Sequence, residues 1–165
     1  MKSLRLYIVN HITSLLPETR CFGIKRILYR WAGAKIGDNV RICSTVTILG
    51  IGELSIGNDT WIGPQSLIIA AGDINIGNGV DIGPQVLIES GSHKITPQGI
   101  HVAGEGLIQP ITIEDGVWLC ARSTVLLGVV VGTHSILATG AVTISSVPSY
   151  TVFGGIPAKF IKKLQ

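Results

Sequence analysis

From Ile36 onward an aliphatic residue returns every six positions, and in many copies a glycine follows it. The pair Ile-Gly opens hexapeptides at Ile36, Ile56, Ile62, Ile76 and Ile82, and Val131-Gly132 repeats it. Looser copies begin at Ile42, Ile48, Ile68, Ile88, Ile113, Leu119, Val125 and Leu137. Three starts lie six apart and a step of eight follows, so Ile36, Ile56 and Ile76 fall twenty residues apart. A self-similar period of this length marks a solenoid. The pattern predicts coils of three short sides, each side pointing one aliphatic into a narrow prism. It also predicts a two-residue insertion at one corner (Leu54-Ser55, Ile74-Asn75, Ile111-Thr112). The fourth slot often holds Asn39, Asp59, Gly79 or Gly116. Those residue types reach positive φ most cheaply, as a tight corner requires.

Two departures from the repeat stand out. Between Ile88 and Ile111 lie twenty-three residues where six would serve, an excess of seventeen that contains His93, Gly99, His101, Gly104 and Gly106. A long loop on a rigid scaffold is more often functional than structural, so an inserted loop is expected at about 89–110. Ahead of the repeat, Leu4, Ile8, Ile12 and Leu15, then Phe22, Arg26 and Tyr29, suit one or two helical turns broken at Pro17. The chain thus divides into a helical segment, 1–31, and a repeat domain, 32–163.

Composition agrees with a solenoid and removes other classes. Mean hydropathy is +0.49, charged residues are 14%, and 21 of 165 residues are glycine. No apolar run approaches the ~18 residues of a spanning helix, and so aliphatic a chain is the opposite of a disordered one. The net charge of +3 divides into +5 over residues 1–31 and −2 over the rest. A basic amphipathic start reads either as a helix capping the solenoid end or as a peripheral membrane contact. Nothing points to nucleic acid as a partner. The three cysteines are an odd number without metal-like spacing, which points to a reduced, cytoplasmic setting. Cys43 and Cys120 occupy the small second slot and read as buried fillers.

The Ile-Gly hexapeptides, the loop opening Ser90-Gly91-Ser92-His93, the segment Ile113–Leu119 and the ending Val152-Phe153-Gly154-Gly155-Ile156-Pro157-Ala158-Lys159 together resemble the hexapeptide-repeat acyltransferases. Within that family the chain is most similar to the branch of maltose, galactoside and exopolysaccharide O-acetyltransferases. Gly116–Ala121 is similar to enzymes that acetylate colanic acid and capsular sugars. The resemblance covers roughly residues 33–163. It implies an all-β, left-handed parallel β-helix assembled as a homotrimer, with acetyl-CoA and a sugar acceptor meeting between subunits. It implies no metal.

The resemblance also assigns roles. His93 stands where the family has its catalytic histidine; a neutral imidazole can take a hydroxyl proton as the acyl bond forms. Gln85, where the family commonly has Asn, and His101 are candidates for acceptor contact. Gln65 repeats Gln85 one coil earlier, so a stacked structural glutamine is the other reading there. Trp118 matches a tryptophan of the acyl-CoA channel, and Ala121, Thr139 and Gly140 fall on coil edges that approach the pantetheine arm. Lys159 and Lys162 or Lys163 suit the CoA phosphates or are merely solvated. Ile144 stands where the family often has a phosphate-binding lysine. Two competing functions are a non-catalytic oligomeric solenoid and a zinc enzyme of the carbonic-anhydrase kind, which would need three convergent histidines.

Overall fold

Each hexapeptide becomes one short strand and one tight turn, and three of them close a triangular coil. The computed structural model describes residues 1–165. Two helices, α1 (Ser3–Ser14) and α2 (Phe22–Trp31), precede the coils. The first coil is β1 (Lys35–Ile36), β2 (Arg41–Ile42) and β3 (Thr47–Gly50). The second is β4 (Leu54–Ile56), β5 (Trp61–Ile62) and β6 (Leu67–Ala70), and the third β7 (Ile74–Ile76), β8 (Asp81–Ile82) and β9 (Leu87–Glu89). Strands β10 (Gly91–Ile95) and β11 (Ala103–Ile108) interrupt the series. It resumes with β12 (Ile111–Ile113), β13 (Trp118–Leu119) and β14 (Thr124–Leu126), then β15 (Val130–Val131), β16 (Ile136–Leu137) and β17 (Val142–Thr143). Finally β18 (Thr151–Gly154) extends the second side, and β19 (Lys159–Lys163) folds back antiparallel on it.

Like sides stack in parallel. Ile36 pairs with Ile56 and Ile56 with Ile76, and across the interruption Ile76 pairs with Ile113. Three sheets result: β1-β4-β7-β12-β15, β2-β5-β8-β13-β16-β18-β19 and β3-β6-β9-β14-β17. This is the left-handed parallel β-helix that the resemblance implies. The aliphatic slot is buried throughout, as at Ile42, Ile62, Ile82, Leu119 and Leu137. The second slot is small because coils touch there: a Cβ on Gly57 would stand 2.6 Å from the carbonyl carbon of Gly77. Positive φ occurs at Asn39, Asp59, Gly79, Gly116 and His134 on the first side, and also at Gln65, Gln85 and Arg122 in the same slot of the second.

The structure corrects four details of the sequence reading. First, the fifth slot also points inward, occupied by Val40, Val80 and Val117 and by the hydroxyls of Thr60, Ser66 and Ser135. The hydroxyls bridge coils: Thr60 Oγ1 donates to the Gly77 carbonyl (2.9 Å) and accepts from the Val80 N–H (3.2 Å). Second, the extra residues lie in strands rather than at a corner, for Leu54, Ile74 and Ile111 open β4, β7 and β12 and are buried. Third, the N-terminal segment forms two full helices, of 12 and 10 residues, rather than one or two turns. Fourth, the inserted loop contains a β-hairpin.

The helices close the open end of the prism. Edge groups of the first coil have no coil beneath them, and buried backbone polar groups need partners. Asn10 supplies both halves of a missing strand: Nδ2 donates to the Ile48 carbonyl (2.9 Å), and the Ile48 N–H donates to Oδ1 (3.3 Å). From α2, Arg26 donates to the Val40 carbonyl (3.1 Å) and Arg30 to that of Ile36 (2.8 Å). Leu6 and Val9 bury their side chains in the core beside Tyr29. No helix is long and apolar enough to cross a membrane.

Candidate active site

The third coil departs from the prism directly after β9. Ser90 is buried and fastens the exit, because its Oγ accepts from the Gly72 N–H (2.9 Å) and lies 3.0 Å from the Gly72 carbonyl. The Gln109 N–H donates to the Ser90 carbonyl (3.1 Å) as the chain returns. Between these anchors β10 and β11 pair antiparallel, Gly91 with Ile108, Ser92 with Leu107 and His93 with Gly106. The register slips between His93 and Ile95, a bulge of the kind that re-aims a side chain.

His93 is therefore held on a paired strand. Its Nδ1 lies 2.9 Å from the Gly104 carbonyl oxygen. A carbonyl can only accept, so in the neutral imidazole Nδ1 carries the proton and Nε2 keeps its lone pair free. An exposed imidazole in that tautomer can act as a base. It borders an open cavity of about 320 Å³ lined also by Ile69, Ala71 and Glu89 and by Gly106, Leu107 and Ile108. Glu89 is the one carboxylate on that lining. A more enclosed cavity of about 340 Å³ lies between α1 and β3 and includes Tyr7, Asn10, His11 and Leu49. The two share no residue, but Leu49, Ile69 and Glu89 are successive partners across β3, β6 and β9.

The residues expected at the acceptor divide. Gln85 sits in a polar ladder on one corner of the prism: its Nε2 donates to Gln65 Oε1 (2.7 Å), and Arg122 Nε donates to its Oε1 (2.6 Å). Both ends of its amide are engaged, which is the stacked arrangement considered above. His101 lies in the turn between β10 and β11, exposed and outside the His93 cavity.

The residues expected at acetyl-CoA gather on the second side. Trp118, 51% exposed, pairs with Ile136, Ile136 with Val152, and Val152 with Lys162. Three strand spacings separate the ring from the lysine, about 14 Å. Lys159 pairs with Gly154 on the same hairpin. Ala121, Thr139 and Gly140 share the adjoining corner, where the Gly140 N–H donates to the Ala121 carbonyl (3.0 Å). The N–H groups of Ala121 and Thr139 have no partner within the chain. These residues and His93 lie on different sides of the prism and line no common cavity.

Ser90 and Gly104 stood in the sequence only as members of the inserted loop, without roles of their own, and Glu89 had none either. Only the hairpin pairing places Gly104 against His93, and only burial distinguishes Ser90 from other serines. Burial pushes the Cys43 thiol up to about 11 and raises that of Cys120; neither is activated as a nucleophile. His134 packs edge-on against Tyr150, with ring centres 5.4 Å apart. No group of three or more His, Cys, Asp or Glu side chains converges.

No family model matches the chain. WcaF of Escherichia coli K12, named for colanic acid biosynthesis as an acetyltransferase, is 30% identical over 145 residues, covering 84% of this chain and 78% of that protein. The 2,3,4,5-tetrahydropyridine-2,6-dicarboxylate N-acetyltransferase of Enterococcus faecalis is 46% identical over 55 residues. That match spans 33% of this chain and only about a quarter (24%) of the relative's length. Among solved structures, the hexapeptide-repeat acetyltransferase VCA0836 of Vibrio cholerae superposes with a TM-score of 0.80 at 24% identity, over 98% of this chain and 90% of that one. The same protein complexed with acetyl coenzyme A gives 0.75 at 23% identity, over 98% and 86%.

Proposed function

Since the chain belongs to the hexapeptide-repeat acetyltransferase family, we propose that it moves an acetyl group from acetyl-CoA to a hydroxyl of a sugar or polysaccharide precursor. The observation that carries this reading is the bond from His93 Nδ1–H to the Gly104 carbonyl, which leaves Nε2 bare at an open cavity. The acceptor oxygen attacks the thioester carbonyl while Nε2 takes its proton. The new C–O bond forms, the C–S bond breaks, and the proton passes from His93 to the departing thiolate. General-base catalysis of this kind contributes about 10²–10⁴-fold. The unpaired N–H groups of Ala121 and Thr139 are suited to the pantetheine carbonyls or the developing oxyanion. Trp118 would cover the thiol arm, and Lys162 and Lys159 would meet the phosphates.

The separation of His93 from the Trp118 side supports a homotrimer in which the hairpin of one copy meets the second side of the next. Exposed Ile95, Val102 and Ile108 on that hairpin are what such a contact would cover. The name of WcaF, a relative matched over most of the chain and named for colanic acid biosynthesis, supports a sugar as the acceptor class. The reading places the reaction in the cytoplasm, where acetyl-CoA is available and the free cysteines stay reduced. The test is release of free CoA from acetyl-CoA in the presence of sugar acceptors, with wild type and His93→Ala compared. Loss of at least about a hundredfold in kcat supports the base assignment; full activity in the variant overturns it.

A further inference from the structure

The two helices that close the solenoid are apolar on the side facing away from it. On α1, Leu4, Ile8, Ile12 and Leu15 follow one another at helical spacing, well around the axis from buried Leu6, Val9 and Thr13. On α2, Ile24 and Ile27 do the same, opposite buried Lys25 and Tyr29. Their exposures run from 37% at Ile8 to 86% at Leu15. Exposed Trp31 links the two helices, for Arg5 of α1 donates to its carbonyl (3.0 Å) and lies over its ring (4.7 Å). Exposed hydrophobics scattered singly are ordinary, but large aliphatics recurring at helical spacing on two adjacent helices mark an interaction surface.

Charge decides what covers it. Of the six Lys and Arg in residues 1–31, Lys25 is buried and Arg26 and Arg30 are bonded to the first coil, which leaves Lys2, Arg5 and Arg20 against one acid, Glu18. Glu18 is turned away onto the first coil, where it accepts from Thr45 Oγ1 (2.8 Å). Lys2 and Arg20 are exposed and make no salt bridge. Two such faces brought together would oppose like charges, whereas an anionic lipid surface would neutralise them and take up the apolar stripe. Trp and Arg side by side suit the headgroup boundary, where one part is apolar and the other wet. We infer that this capping face docks the protein on anionic phospholipid, the helices lying in the plane of the interface. The inference goes beyond the acetyl-transfer reading and does not depend on it.

The test is flotation of the full chain with vesicles of equal parts phosphatidylglycerol and phosphatidylcholine, and with phosphatidylcholine alone. Binding to the first, little to the second, and release by salt are expected. Ile8→Asp with Ile27→Asp should abolish flotation while the circular dichroism spectrum stays that of wild type. Should that pair unfold, Lys2→Gln and Arg20→Gln decide, each weakening binding about fivefold. Wild-type protein that stays with the soluble fraction, or an Asp pair that floats like wild type, overturns the inference. So does lipid-free self-association that the Asp pair abolishes, which would assign the face to a second copy. Acetyl transfer is not the readout, so failure here leaves the proposed reaction standing, and the reverse.

Discussion

Removing the Asn10 amide should open the end of the solenoid. Ile48 is fully buried, and Asn10 serves both its N–H and its carbonyl. The Tyr29 hydroxyl also donates to Asn10 Oδ1 (3.2 Å), though it has further partners in Thr13 and the Val46 carbonyl. Asn10→Ala therefore strands two backbone groups outright and weakens a third contact. Each buried group left unpaired costs about 1–3 kcal/mol. Because Asn10 is only half-buried and water can reach part of the gap, we expect the lower end of that range, about 2–3 kcal/mol in all. For a chain of this length that corresponds to a fall in Tm of roughly 4–12 °C. Asn10→Asp keeps the acceptor for the Ile48 N–H but sets a carboxylate oxygen against the Ile48 carbonyl, so it should destabilise at least as much as Ala. Thermal or urea unfolding followed by circular dichroism reads both. A change below about 0.5 kcal/mol for Asn10→Ala, the level of an ordinary surface substitution, would mean that water serves the edge as well and that α1 does not cap it.

Three further outcomes follow from the same geometry. A Cβ on Gly104 would meet Thr96 Oγ1 and come within 3.2 Å of the Lys94 carbonyl, whereas one on Gly106 meets nothing within 4 Å. Gly104→Ala should therefore shift the carbonyl that orients His93 and lower kcat about tenfold, the worth of one orienting hydrogen bond. KM for acetyl-CoA should be unchanged, and Gly106→Ala should behave as wild type. Ser123 Oγ is buried with no partner, while Ser66 in the same slot bonds Gly83 and Val86. Ser123→Ala should thus raise stability by about 1 kcal/mol and Ser66→Ala lower it by about 1–2 in denaturant titration; equal effects would refute the distinction. Finally, burial pushes the Cys43 thiol up from its ordinary 9.0 to about 11. The unfolded thiol deprotonates first, so this contribution to stability is full below pH 9.0 and is lost as pH rises toward about 11. In native protein at pH 8, iodoacetamide should modify exposed Cys21 long before Cys43, and equal rates would contradict the burial.

The aliphatic at every sixth position, the small second slot and the corner residues of positive φ could be read directly, because each is a demand that recurs coil after coil. The seventeen extra residues were legible for the same reason, and they reappear as a change in contact spacing from 20 to 37: Gln85 bonds Gln65 on one side and Arg122 on the other. The inward fifth slot was hidden, since Thr60 and Ser66 look like surface residues until the next coil offers them a carbonyl and an N–H. The β10–β11 hairpin was hidden as well. Both its faces are largely solvated, so no alternation of apolar and polar residues marks it.

The sequence by itself therefore determined the scaffold, the place where it is interrupted, and the histidine at that interruption. A repeat writes its own packing rule into every copy, and a single chain suffices to read it. Only the tertiary structure decided which nitrogen of His93 is free, because the Gly104 carbonyl lies eleven residues along the chain and reaches the ring only through the hairpin. The alignment of Trp118 with Lys162 likewise depends on three successive strand pairings that no local spacing records. The apolar stripes of the N-terminal helices were visible in the sequence as hydrophobic positions. That they face away from the prism follows from Asn10, Arg26 and Arg30 being spent on its open edge.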